Sequence, residues 1–358
     1  MTDEESKMAE SRENYAHMKR RNMLVIASLG IIGFIVALFS LGNGAYQMSV
    51  GEVIDSLFTP DGDTGSVVIW NIRLTRILAA ILVGAALAIA GTVMQCILRN
   101  PLASPYTLGI SNAAATGAAL ALAASYLGIF SGTFMEGFLS GMYGMSLTAF
   151  LFAMVAVVVV LFFARNNVSP DTMVLAGVAI SAIFGAVLSS LQYFVDDQTL
   201  SSIVFWQFGD LTKASWNELG ILAAVTIPIS LYFYYHRMDY NALEAGNEVA
   251  RSLGVNTKGL MIKTMVLSSI LAAVCVSMVG IIGFVGLLGP HIIRRLIGGD
   301  HRYLLVASMV MGAFVLLFAD AMGRIPFESP IPVGIITSFF GGPLFLFMLV
   351  RKNRRNSV

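Results

Sequence analysis

The chain has 358 residues and a formal net charge of +1; 57% of its residues are hydrophobic, only 12% are charged, and its mean hydropathy is +0.79. A soluble domain carries about 25% charged residues, so a soluble globular protein is excluded, and the near-zero net charge leaves no bulk electrostatic argument for nucleic acid. Apolar runs of about twenty residues recur, the length a helix needs to cross a bilayer, so the class is an all-α polytopic membrane protein.

The first residues, "MTDEESKMAESRENYAHMKRRN", are polar and close on Lys19, Arg20 and Arg21. Read as a signal peptide they have too long a polar lead and no A-x-A cleavage site. Residues 1–22 are therefore expected to be a retained cytoplasmic tail. The C-terminal "RKNRRNSV", residues 351–358, is also basic. Positive charge marks the cytoplasmic side, so both ends lie inside and the number of spans is even. Residues 23–350 form the membrane domain.

Ten spans are predicted. The first five cover residues 23–41, 74–97, a segment from after "RNPLASP" to 127, 142–164 and 173–195. The last five cover 218–236, 260–280, 281–299, 303–323 and 332–350. The stretches "GNGAYQMSVGEVIDSLFTPDGDTG" and "DDQTLSSIVFWQFGDLTKAS" read as external loops. The polar stretch "RMDYNALEAGNEVARSLGVNTKG" reads as internal.

The eighth span is too short for a loop and a full helix at about 1.5 Å per residue. "GFVGLLGPHIIRRLIGGDHR" places a proline, a histidine and two arginines where a span should continue. Residues 283–289 are expected to enter as irregular backbone, with a short helix starting at Pro290, since proline suits the first helical turn. Irregular backbone at that depth is tolerated only against protein or a water-filled cavity. Gly91 and Pro101 have the same ten-residue spacing as Gly280 and Pro290. This suggests two broken helices related by an inverted repeat, a transporter signature. Pro101, Pro290 and His291 are the expected helix-break positions.

Candidate chemistry is sparse. The histidines are His17, His236, His291 and His301, with no HExxH spacing, and Cys96 and Cys275 have no CxxC partner. His291 is read as packing in the first turn of a broken helix, with metal or proton chemistry as the alternative. Asp320 is a carboxylate within a span. It is either a proton-relay group or the partner of Arg324 four residues on. "RLTR" sets Arg73 and Arg76 on one helix face at the expected outer end of the second span. With Arg324 they either anchor at the interface by snorkelling or receive an acidic soluble partner. The internal "NALEAGNEVARSLGV" is either an ordinary solvated helix or a rigid helix offered to a cytoplasmic partner. No GxxxxGK[ST] loop occurs, so any ATP hydrolysis belongs to another chain. No catalytic, cofactor-binding or metal-ligating set is expected.

Several long stretches together resemble the FecCD-like permeases, the iron-siderophore and vitamin B12 type subunits of ABC importers. They are "RLTRILAAILVGAALAIAGTVMQCILRNPLASPYTLGISNAAATGAAL", "WQFGDL", "GNEVARSLGV", "GIIGFVGLLGPHIIRRLIGGDHR", "ADAMGR" and "IPVGIITSFFGGPLF". The resemblance implies a non-enzymatic ten-helix subunit in the cytoplasmic membrane of a bacterium or archaeon. It pairs with a second permease subunit, identical or different, two cytoplasmic ATPase subunits and an extracytoplasmic substrate-binding protein. Its cargo is a ferric siderophore or similar large iron chelate, with haem or cobalamin as alternatives. Arg73, Arg76 and Arg324 match outer-rim arginines that receive carboxylates of the binding protein. The coupling segment, residues 240–257 with Gly246, Asn247, Glu248, Arg251 and Gly254, matches the part seated in the ATPase cleft. The fifth and tenth helices flank the path along the dimer axis. Two departures stand out. Pro330-Ile331 replaces the family's Glu-Leu, with Glu328 just before it. Ala245-Gly246-Asn247-Glu248 replaces Leu-Gly-Glu-Glu.

Overall fold

A computed structural model describes residues 3–44, 46–59, 62–166, 169–325 and 329–356. Glu328 and the last two residues of the basic tail lie outside the described residues. Ten helices carry the expected apolar segments: α1 (Asp3–Gly42), α2 (Thr75–Ile97), α3 (Ile110–Tyr126), α4 (Met142–Arg165), α5 (Pro170–Phe194), α6 (Trp216–Tyr235), α7 (Thr257–Val279), α8 (Val285–Ile297), α9 (His301–Arg324) and α10 (Val333–Asn356). Among the described residues seven are long and apolar enough to cross a membrane, and α3, α8 and the apolar part of α10 are shorter. No strand occurs among the described residues.

The helix α2 is the hub. Its most apolar stretch is 83% buried, against 11% for α1 and 17% for α5, so α2 is wrapped by protein while α1 and α5 face outward. It packs on α6, α7, α8 and α9, while α3 packs on α4 and α5 at one flank. Without a hydrophobic drive between helices in lipid, close approach depends on small residues. Gly84 and Gly312 show this: a Cβ on Gly84 would lie 2.4 Å from the Gly312 carbonyl oxygen. Side-chain bonds add specificity, as where Asn112 donates to the Ser181 carbonyl at 3.0 Å and Thr116 to the Phe184 carbonyl at 2.9 Å.

Four features differ from the sequence reading. The second span does not start at Leu74. A helical run extends over Thr64–Ile97, with a π-helical stretch at Val68–Leu74. Arg73 and Arg76 thus lie inside a long helix rather than at its end. The first external stretch contains a helix, Val50–Phe58, closed by a capping box in which Ser49 and Glu52 satisfy each other's backbone N–H. The second contains another, Asp197–Gln207, capped by Asp196.

The fourth difference is α8, which begins at Val285, five residues before Pro290. Its N-cap is Phe284 in the left-handed region, φ 64°, an uncommon setting for a bulky residue. The Phe284 side chain lies beside Gly341, where a Cβ would meet Phe284 Cβ at 2.6 Å and the ring at 2.7 Å. Pro290 then falls in the second turn, where it removes the donor for the Gly286 carbonyl. That oxygen occupies the space of a Gly91 Cβ, 1.8 Å from its ideal position. Gly91 is thus a contact point within continuous α2, whereas Gly280 ends α7 with φ 81°. The two glycine–proline spacings do not mark equivalent breaks. Pro101 lies in the turn between α2 and the 3₁₀ turn Pro105–Leu108. His291 is buried in α8, edge-on to Phe345 at 6.4 Å between centroids.

Candidate functional site

Three places in the bundle gather the residues singled out by sequence. The first is the end where α1 and α9 finish. Arg76 Nε lies 2.6 Å from Asp320 Oδ1, both side chains almost fully buried. Arg324 Nε reaches Asp320 Oδ2 only at 3.9 Å. The carboxylate's main partner is therefore Arg76, and the i, i+4 pair read from sequence is secondary. Arg73 donates to the Leu41 carbonyl at 2.7 Å and to the Tyr46 carbonyl. Arg324 donates to the Ser40 and Asn43 carbonyls at 2.8 and 2.5 Å. Arg73 and Arg324 meet around Gly44, where a Cβ would lie 2.9 Å from Arg324 Nη1 and 3.3 Å from Arg73 Nη2. The structure thus unites the three arginines, turned inward: Arg73 and Arg76 are 4% and 6% exposed. Counting Asp210, which acts on Asp320 through space, three guanidiniums meet two carboxylates, a local positive surplus.

The second place is a crossing of irregular backbone. The Asp210 N–H donates to the Val279 carbonyl at 2.7 Å, and the Gly334 N–H to the Gly209 carbonyl at 3.2 Å. The ends of Asp197–Gln207 and α7 and the start of α10 therefore meet. Gly334 allows this, since a Cβ there would lie 2.1 Å from the Phe208 oxygen. A cleft of about 470 Å³ opens beside the crossing, lined by Gln207, Phe208, Ile281, Ile335, Ser338 and Phe339 among others. Broken helix ends around a cavity are where transporters place their pathways. Within "WQFGDL" nothing in the sequence marks Gln207 or Phe208 for a role. Their proximity to Ile281 and Ser338 is set by tertiary structure alone.

The third place is the opposite end, where α6 leads into two short helices, Arg237–Glu244 and Asn247–Ser252. Gly246 joins them with φ 130°. Asn247–Ser252 closes in a Schellman motif: the Val255 N–H bonds the Ala250 carbonyl, the Gly254 N–H bonds the Arg251 carbonyl, and Gly254 takes φ 83°. Asn247, Glu248, Arg251 and Gly254 are exposed, as are Val249 and Leu253, while Ala250 is fully buried. The exposed apolar pair went unremarked in the sequence, because its exposure depends on which face Ala250 anchors. Arg237–Glu244 is fastened beneath. Tyr240 Oη bonds Thr264 Oγ1 at 2.8 Å, Asn241 donates to Asp300 at 2.9 Å, and Arg99 donates to the Leu243 carbonyl at 3.2 Å. Asp300 caps α9 and grips Arg302 at 2.6 Å. Burial raises the Asp300 carboxyl, but the bonds from Arg302 and Asn241 outweigh it and hold the group at about 2. Burial raises the Glu244 carboxyl, with Arg294 opposing.

The chain is similar to known proteins along most of its length. The profile of the FecCD transport family, the family resembled by the motifs, covers residues 30–351. A Methanocaldococcus jannaschii protein described as an ABC transporter permease is 46% identical, over 96% of this chain and 99% of its own length. The hemin transport system permease protein HmuU of Yersinia pestis is 36% identical, over 93% of this chain and 97% of its own. The vitamin B12 import system permease protein BtuC of Salmonella typhimurium is 34% identical, over 94% and 98%. A solved inward-facing structure described as a metal-chelate type ABC transporter superposes with TM-score 0.77 at 32% identity, covering 92% of this chain and 99% of that one. The chain belongs to the FecCD transport family.

Proposed function

We propose that this chain is the membrane subunit of an ATP-driven importer that moves a ferric siderophore, or a similar large iron chelate, across the cytoplasmic membrane. The observation that carries this reading is the end-to-end match to hemin and vitamin B12 permeases and to a metal-chelate type transporter. The cleft supports it: its lining offers Gln207 and Ser338 among apolar groups, suited to many weak contacts with a bulky ligand rather than tight capture of a small ion. Haem or cobalamin is the second reading, favoured by the names of the two relatives.

In this scheme the arginine end faces outside and the Asn247 end faces the cytoplasm. A second permease subunit packs across the pathway, an extracytoplasmic binding protein docks at the arginine end, and two ATPase subunits receive Asn247–Ser252. The exposed faces of α1 and α5 meet lipid or the second permease. Docking through Arg73 and Arg324 requires them to exchange loop carbonyls for the partner's carboxylates, and the positive surplus favours that exchange. A proton-relay role for Asp320 is disfavoured, because Arg76 holds the carboxylate as half of a buried pair.

The test is transport by the reconstituted complex, with its ATPase and binding protein, in proteoliposomes. ATP-dependent accumulation of labelled ferric siderophore is expected. Accumulation of cobalamin or haem with no siderophore uptake overturns the cargo assignment, and accumulation without ATP overturns the mechanism.

A further inference from the structure

A second set of polar groups lies at the Asn247 end, away from the cleft and the arginines. Cys96 lies in the last turn of α2, Glu244 ends the helix Arg237–Glu244, and His301 starts α9. Cys96 Sγ, a Glu244 carboxylate oxygen and a ring nitrogen of His301 all lie within 4.8 Å of one another. Three elements from distant parts of the chain thus converge on one point.

The histidine is set up as a ligand. His301 is fully buried. Asn241 Oδ1 is an acceptor, and it lies 2.8 Å from the His301 N–H and 3.0 Å from Nδ1. The proton is therefore on Nδ1, and Nε2 keeps its lone pair. Nε2 is buried with no hydrogen-bond partner. A histidine held by its other nitrogen in this way is the usual arrangement at metal sites. Asn241 is itself fixed by its bond to Asp300.

The other two groups fit the same use. Cys96 is buried and makes only a long contact, 3.5 Å, to the Tyr240 carbonyl. Glu244 is 37% exposed on its side chain, and Arg294 stands off at 3.8 Å. Its carboxylate is free to rotate inward, and its exposed side gives an ion and a water a way in. The three atoms already lie within 4.8 Å of one another, close to the spacing of about 3.3–3.8 Å that tetrahedral bonds of about 2.0–2.3 Å set, and Glu244 can rotate to close its side. With Cys96 as thiolate, its proton released to solvent, the set carries two negative charges. A divalent ion neutralises them, so the neighbouring Arg294 is tolerated.

We propose that Cys96, Glu244 and His301 form a binding site for a divalent transition metal of the nitrogen- and sulfur-preferring class, with water as fourth ligand, and that the bound ion pins Arg237–Glu244 to α2 and α9. Sulfur and imidazole with one carboxylate select zinc-like ions over calcium or magnesium. The site is separate from the cargo path and holds whether or not the neighbouring helix docks an ATPase.

The test uses full-length protein purified without a polyhistidine tag and titrated with Co²⁺. Expected is one equivalent per chain with a thiolate-to-cobalt absorption band, displaced by Zn²⁺. Cys96→Ser abolishes the band, while Glu244→Gln and His301→Gln weaken binding at least tenfold. Cys275→Ser, altering the other buried thiol, leaves the band intact. Zn²⁺ also raises the melting temperature of the parent but not of Cys96→Ser. Glu244→Gln alters a part-exposed side chain, so it remains informative if the other variants fail to fold. No thiolate band, or a band and affinity unchanged in Cys96→Ser and Glu244→Gln, overturns the proposal.

Discussion

Arg76 and Asp320 are joined at 2.6 Å across 244 positions of sequence, tying α2 to α9 where both side chains are buried. Removing one member of such a pair leaves an uncompensated charge and costs about 3–5 kcal/mol. Arg76→Ala and Asp320→Ala should each lower the melting temperature of the detergent-solubilised protein markedly. The double variant Arg76→Met/Asp320→Leu should recover much of the loss, since buried pairs are often replaceable by well-packed apolar residues. Single variants melting with the parent would show that the pair is not a fastening.

Gly91 faces a different constraint. Its Cβ would sit 1.8 Å from the Gly286 oxygen, which is backbone and cannot rotate away. Gly91→Ala should push α8 off α2 and sharply reduce the yield of folded protein. Gly30 in α1 has nothing within 4 Å of its Cβ position. Gly30→Ala should be neutral or stabilising by about 1 kcal/mol, since alanine is the better helix former. Size-exclusion profiles of the two variants separate the outcomes; equal behaviour would deny the close approach.

The contrast shows what the sequence could disclose. Apolar runs placed the helices, because hydropathy over a span is a local property. The start of α8 was not legible. Proline's preference for a first turn pointed to Pro290, but the helix starts after Phe284, whose side chain packs on Gly341 from a distant segment. Gly91 was noticed for its spacing, yet its role is a contact with Gly286 that no spacing encodes. Arg73 and Arg76 were visible as a pair on one helix face. Their burial depends on distant segments: the Leu41 and Tyr46 carbonyls cover Arg73, and Asp320 of α9 covers Arg76. Cys96, Glu244 and His301 lie in three distant parts of the chain, so no local spacing brings them together.

Asp300 yields a pH prediction. Its carboxyl is held at about 2, below an ordinary value of about 3.9. Such a group contributes stability fully above its unfolded value and loses it as pH falls through the folded value. The Asp300 contribution should therefore be constant from pH 5 to 8 and fade between about pH 4 and 2. Asp300→Asn should melt lower than the parent at pH 7, and the gap should narrow on acidification below pH 4. A gap that widens with acid would reverse the assignment.

At the same end, Ala250 anchors Asn247–Ser252 while Glu248, Val249, Arg251 and Leu253 face outward. If this surface couples to an ATPase, changing it should separate hydrolysis from uptake. Leu253→Asp and Glu248→Arg together should leave insertion and melting unchanged but cut substrate-stimulated uptake at least tenfold, with ATP turnover no longer responding to the binding protein. Reporter fusions should place Asn247 inside and Ser49 outside. Full uptake in the double variant would remove the coupling role.

Arg73 tests whether the arginine end docks a partner or only holds a loop. Its guanidinium bonds the Leu41 and Tyr46 carbonyls and makes no ion pair among the described residues. Arg73→Glu would face a carboxylate with those oxygens, so loop damage and docking loss would coincide. Arg73→Gln separates them, since an amide still donates to a carbonyl but carries no charge. A docking role predicts near-parental melting for Arg73→Gln with weaker binding-protein affinity. That loss should fall in the range of about 2–5 kcal/mol if the pair with the partner is well buried. If it is a rim contact, the loss should instead appear as a slower, less salt-dependent association. A loop-holding role predicts unchanged affinity and association rate at every salt concentration, with any loss confined to melting. Measuring association of the binding protein with nanodisc-held Arg73→Gln at low and high salt decides between them.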